Sequence, residues 1–184
     1  MQTRQAATGA VSSRDLRKSF SVGGKAVEAV SGLNLDVGRG EIFGLLGPNG
    51  AGKTTTLRML ATLIPIDGGE ATVAGIDVRR KPKEVRRRIV YVGQLRGADL
   101  PATGRENLLL QGRLYGASGS EASLRASELI ELLALGDFAD RPARTYSGGQ
   151  RRRLEVALGI MHKPEVLFLD EPSTGLDPQN RANL

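Results

Sequence analysis

Residues 47–54, GPNGAGKT, fit the spacing G-x-x-x-x-G-K-[ST], a pattern suited to holding phosphate. Gly47, Gly50 and Gly52 let the backbone turn back so that successive amides point inward, with Pro48, Asn49 and Ala51 completing the loop. Lys53 supplies a point charge for β- and γ-phosphates, and Thr54 a hydroxyl for Mg²⁺, with Thr55 beside it in the binding set. The helix that follows adds its positive N-terminal end. An ordinary glycine turn ahead of a helix has no need of a Lys-Thr pair at that offset. A second element is VLFLDEP, residues 166–172, an apolar strand that delivers Asp170 to hold magnesium and Glu171 to activate an attacking water. The third, YSGGQRRRLEV, opens a helix on Ser147, Gly148, Gly149 and Gln150. This is another anion-binding terminus, too far along the chain to belong to the first loop. Two phosphate-recognising elements in one chain that cannot meet within a protomer should meet across a dimer.

Alternating strands and helices must position these residues. Residues 11–37 read as short strands with a turn at SVGGK, and EIFGLLG (residues 41–47) reads as a buried strand leading into the loop. Leu57, Leu60, Ala61 and Ile64 recur at helical spacing until Pro65. ATVAGIDV reads as strand and turn, Pro82 starts a short helix, and IVYVGQ reads as a strand ending at Gln94. Helices follow at 103–115, with a Thr103–Glu106 capping box, at 121–135, and after Ser147 as N-cap. The pattern predicts an α/β fold with a largely parallel sheet, an N-terminal antiparallel β part and an inserted helical lobe. The expected organisation is one domain: 11–95 as β subdomain and phosphate-loop core, 96–162 as helical lobe, 163–184 as the strand and acids beyond.

Bulk properties exclude several classes. The chain of 184 residues is 40% hydrophobic and has no cysteine, so neither disulfides nor thiolate metal sites form. No apolar run approaches the roughly 20 residues of a membrane span. The N-terminal stretch lacks a signal-peptide core, which predicts a cytoplasmic protein. Its formal charge of +6 is dispersed, with short knots at RRKPKEVRRR and QRRR, and aromatics are only 4%. These knots read as solvated helix faces, and no nucleic-acid partner is expected.

The phosphate loop, Gln94 after a strand, SGGQ and LFLDEPSTGLD, in this order, resemble the ATP-binding subunits of ABC transporters. GRENLLLQGRLYG and RTYSGGQRRRLEVALGIMHKPEVLFLDEP are similar to the daunorubicin-resistance type of drug exporter. The resemblance implies a P-loop NTPase core, ATP and Mg²⁺ as ligands, a head-to-tail dimer with a second nucleotide-binding subunit, and separate membrane permease subunits. It implies a site on the inner face of the cell membrane. It also implies that Phe20 stacks on adenine, that Gln94 senses Mg²⁺ and the γ-phosphate, and that Asp177 communicates across the dimer. Tyr146 stands where leucine is commoner. The family's γ-phosphate histidine follows the acidic strand by roughly thirty residues, beyond Leu184; His162 precedes Asp170 and reads as a polar helix end. The resemblance therefore implies a subunit cut short, with the missing strand leaving a gap in the sheet. Two alternatives stand beside the exporter reading: an inactive fragment that keeps nucleotide or subunit contacts, and a non-transport ABC ATPase.

Overall fold

The computed structural model describes residues 9–93 and 97–170. The chain divides into two compact units between Val90 and Tyr91.

The first unit is built on an antiparallel sheet of order β2-β1-β3-β4, formed by β1 (Val11–Val22), β2 (Lys25–Val37), β3 (Gly68–Val73) and β4 (Ile76–Asp77). Residues 11–37 thus form two long strands where short ones were expected. Their turn is Gly23–Gly24, both at positive φ (58° and 78°), the condition for a tight turn whose twist matches its strands. Asp15, at φ 50°, bulges out of β1 where the register slips against both neighbours. Helix α1 (Lys53–Leu60) contributes Met59 and Leu60, fully buried with Leu16, Val73 and Val85, the last from the short helix α2 (Pro82–Arg86).

Two expectations fail here, each for a physical reason. Helix α1 stops at Leu60, well short of Pro65. Thr62 takes a left-handed φ of 59°, and the amides of Thr62 and Leu63 bond back to Met59 and Arg58. This closes the helix end in the Schellman manner before the proline is reached. Residues 41–48 form no strand. A strand requires a partner for its amides and carbonyls, and no ladder among the described residues includes this segment. Ile42 and Leu46 are accordingly 100% and 93% exposed.

The division between units falls within β5 (Ile89–Val92), which pairs with β6 (Val166–Leu169) in a two-stranded sheet. Among its described residues the second unit otherwise carries helices: α3 (Gly104–Leu114), α4 (Gly119–Leu132), a 3₁₀ turn at Ala143–Thr145, and α5 (Gly148–Ile160). All three α-helices open with a complete capping box, from Thr103, Ser118 and Ser147. One core joins them, including Leu108, Ala126, Leu129, Phe138, Leu154 and Ala157. Burying each leucine or phenylalanine contributes about 1.5–3 kcal/mol. Gly112 lets α3 approach closely, since a Cβ there would lie 2.9 Å from that of Ala122.

Candidate functional site

In the first unit the glycine loop projects ahead of α1, exposed from residue 46 to 51. Gly50 and Gly52 hold φ of 83° and 78°, which glycine adopts without strain. A Cβ on Gly52 would also collide with the carbonyl oxygen of Ala29 on β2, so this position excludes every larger residue twice over. Gly52 is the N-cap of α1. It offers no side-chain cap, and no acidic residue sits in the first turn. The helix's positive end is therefore left to an outside anion. Lys53 Nζ donates to the carbonyls of Gly47 (2.7 Å) and Pro48 (2.8 Å), folded back across its own loop. Phosphate oxygens are stronger acceptors than neutral carbonyls, so the arrangement fits a polyphosphate.

Phe20 lies on β1, 40% exposed, with Lys18 Nζ 5.4 Å from its ring centroid. Lys18 is fixed by Asp67 at 2.7 Å. That hydrogen bond, with a second from the Ser19 amide, holds the Asp67 carboxyl below the usual carboxylate range. Phe20 pairs with Val27, two residues from Ala29, whose carbonyl covers Gly52. At about 3.4 Å per residue, the ladder position of the aromatic is roughly 7 Å along β2 from the loop's support.

In the second unit, Ser147 Oγ accepts from the Gln150 amide (3.2 Å), and Gln150 Oε1 accepts from the Ser147 amide (3.0 Å). Ser147 and Gly148 remain exposed while Gly149 is buried. The preceding Tyr146 is buried and donates to the Phe138 carbonyl at 2.6 Å, its ring edge-on to Phe138. Gly104 makes room, since a Cβ there would strike the tyrosine oxygen. Burial pushes the Tyr146 hydroxyl's pKa up. Tyr146 thus anchors the turn from within, while Ser147 and Gly148 stay exposed.

Asp170 follows β6 and is 3% exposed. Its amide donates to the Val92 carbonyl (3.0 Å), and Tyr91 Oη donates to its Oδ2 (2.6 Å). The QRRR knot, expected to be solvated, is corrected at Arg152. This side chain is buried, donating to the carbonyls of Gly93 (2.9 Å) and Val92 (3.4 Å) and paired with Glu155 (3.3 Å). Gly93 lies past the end of β5, where no strand ladder reaches its carbonyl, and Arg152 supplies a donor there. The RRKPKEVRRR knot does remain exposed at its arginines and lysines. His162 follows α5 and stacks on Tyr115, with ring centroids 4.0 Å apart.

Phe20 and residues 47–55 thus lie in the first unit, and residues 147–150 and Asp170 in the second. Gln94, Glu171 and Asp177 lie outside the described residues. Thr54 and Asp170 offer hard oxygen donors, the type that suits Mg²⁺. Sequence reasoning passed over Tyr91, Gly93 and Arg152. The available signal was the i, i+3 spacing of Arg152 from Gly149 and to Glu155, which puts a pairable charge on the buried face of α5.

A glycine loop heading a helix and an acid at a strand's end, within a mixed α/β chain, define a P-loop nucleotide-binding domain. Residues 30–174 match the family model described as ABC transporter, and the chain belongs to that family. It is 54% identical over 156 residues to the daunorubicin resistance ATP-binding protein DrrA2 of Streptomyces coeruleorubidus, covering 85% of this chain and 48% of that protein. It is 56% identical over 153 residues to the daunorubicin/doxorubicin resistance ATP-binding protein DrrA of Streptomyces peucetius, covering 83% and 46%. The chain therefore spans about half the length of these curated relatives. Among solved structures it resembles the ATP-binding cassette MJ0796, a dimer in a post-hydrolysis state bound to ADP and Pi. The TM-score is 0.81 at 26% identity, over 94% of this chain and 78% of that one.

Proposed function

We propose that this chain binds and hydrolyses ATP as the nucleotide-binding subunit of an exporter of drug-like compounds. The observation that carries the reading is the exposed glycine loop heading α1, uncapped and with Lys53 turned across it. Lys53 exchanges the carbonyls of Gly47 and Pro48 for phosphate oxygens, and the loop's backbone N–H groups, which Pro48 lacks, close around them. Phe20 supports the base by stacking. Thr54, Gln94 and Asp170 are the residues that would hold Mg²⁺, which supplies charge neutralisation at the β- and γ-phosphates. Glu171 accepts a proton from the attacking water. Ser147, Gly148 and Gly149 contact the γ-phosphate of ATP held by a second copy, so the nucleotide joins two subunits head to tail. Asp177 spans that junction.

Several observations support the assembly and transport parts. MJ0796 is described as a dimer with ADP and Pi, and the two relatives are drug-resistance ATP-binding proteins. No helix among the described residues is long and apolar enough to cross a membrane. Separate permease subunits complete the proposed exporter, with this chain docked on their cytoplasmic face, in keeping with the two relatives being ATP-binding proteins of drug resistance.

The test is Lys53→Ala, titrated with Mg-ATP by calorimetry. Loss of charge-assisted hydrogen bonds worth about 1.5–3 kcal/mol weakens affinity roughly 10- to 100-fold. Equal affinity in a folded variant overturns the assignment.

A further inference from the structure

The end of β5 is tied to Asp170 by two hydrogen bonds that phosphate binding alone does not require. Tyr91 Oη donates to Asp170 Oδ2 at 2.6 Å, and the Asp170 amide donates to the Val92 carbonyl at 3.0 Å. Arg152 of α5 also donates to the Gly93 and Val92 carbonyls. Gly93 is part of the same device. A Cβ there would lie 2.8 Å from Tyr91 Cε1, so the absence of a side chain gives the tyrosine ring its place along the strand end.

We propose that Tyr91 is a positioning residue for Asp170: its hydroxyl fixes one carboxylate oxygen and so directs the other toward the water shell of the magnesium ion. The proposal rests on the assignment of Asp170 to Mg²⁺. A carboxylate rotates about its terminal torsion between broad, roughly two-fold minima. A hydroxyl donor on Oδ2 removes that freedom without lowering the carboxylate's charge. Arg152 acts one step further out. It sits at the third residue after Gly149 on the helix that opens with Ser147, so the turn offered to a second subunit's nucleotide and the carboxylate offered to this subunit's metal share one strand end. A shift of α5 along its axis moves Gly93 and, through the ring packed over it, the oxygen that orients Asp170.

Two measurements test this. The first is nucleotide affinity with Mg²⁺ titrated in and, separately, with Mg²⁺ chelated, in the parent chain and in Tyr91→Phe. Partners that orient a metal-binding group typically change metal affinity by 10- to 100-fold. The expected result is a Mg²⁺ half-saturation raised about tenfold, with affinity for metal-free ATP unchanged, since that rests on the loop around Lys53. An unchanged Mg²⁺ requirement overturns the proposal. Loss of metal-free binding as well shows general damage, and also overturns it. Loss of binding in Lys53→Ala speaks only to the phosphate loop, so the two readings fail separately. The second measurement needs no nucleotide. With ring-labelled tyrosine, the C–O stretching band that disappears in Tyr91→Phe is assigned among the three tyrosines. That band should shift in Asp170→Asn, where a neutral amide replaces the charged acceptor. A band that stays in place means the hydroxyl does not bond to Asp170, and the proposal falls.

Discussion

Helices α1 and α5 both open on glycine-rich turns, and their first turns are completed in opposite ways. The N-cap of α1 is Gly52, with no side chain and no acid nearby, and the loop before it is exposed. The N-cap of α5 is Ser147, locked in a reciprocal box with Gln150 and backed by buried Tyr146. The first turn leaves its electrostatic demand to an incoming anion. The second, also without an acid in its first turn, has its Ser147 and Gln150 amides bonded within the reciprocal box and presents an already oriented Ser147 hydroxyl. A hydroxyl that accepts from Gln150 can still donate, so capping and phosphate contact are compatible at Ser147. The difference teaches that the primary loop is shaped to be finished by its ligand, whereas the secondary turn is finished in advance.

The largest effect that could break this contrast belongs to Gly52→Ala. A left-handed alanine costs about 1–2 kcal/mol, and the collision with the Ala29 carbonyl adds to it. ATP affinity should fall at least tenfold by calorimetry, with hydrogen exchange in the first turn of α5 unaltered. Retained affinity would show that the loop's shape does not depend on its glycine N-cap.

Tyr146→Phe probes the other side. Leaving the Phe138 carbonyl without its 2.6 Å donor costs about 1–3 kcal/mol in the helical unit. Chemical denaturation should register that loss while affinity at the phosphate loop holds. The same hydroxyl has a pKa raised by burial. Its contribution is therefore fully present below the unfolded tyrosine value of about 10 and lost as pH rises through the higher folded value. Parent stability should fall faster than that of Tyr146→Phe above about pH 10. Parallel decline in the two proteins would contradict the burial argument.

Ser147→Ala sharpens the contrast by the smallest step. Loss of an N-cap side chain costs about 1 kcal/mol. Exchange of the Gln150 amide should accelerate by roughly fivefold, without change at α1. An unchanged rate would mean that the box contributes nothing to holding this turn.

What could be read from the sequence was whatever a few neighbouring residues decide together. The Thr103–Glu106 box follows from polar residues three apart, Ser147 reads as an N-cap, and Gly23–Gly24 announces its own turn. The segment at 41–47 shows the limit. Apolar composition gives it the look of a strand, but strand formation is decided by a partner's backbone, which local pattern does not contain. The α1 terminus escaped for a smaller reason: a threonine at φ 59° ended the helix where proline was expected to. Asp170 could be picked out by its position after an apolar run. Tyr91 could not, because its role arises from a residue 79 positions away in the chain, and for Arg152 the sequence offered only the pairing with Glu155, not the hold on Gly93, 59 positions away.

The exposed run at Ile42, Phe43 and Leu46 bears on colloidal behaviour. A formal charge of +6 spread over the surface favours repulsion between molecules. An exposed apolar stretch outside every ladder among the described residues favours association of one molecule with the next. Added salt screens the repulsion within about 10 Å at 0.1 M and leaves the apolar contact intact. For this chain, then, raising ionic strength should promote clustering, and a single charged residue at position 42 would improve dispersion more than several at the already basic knots.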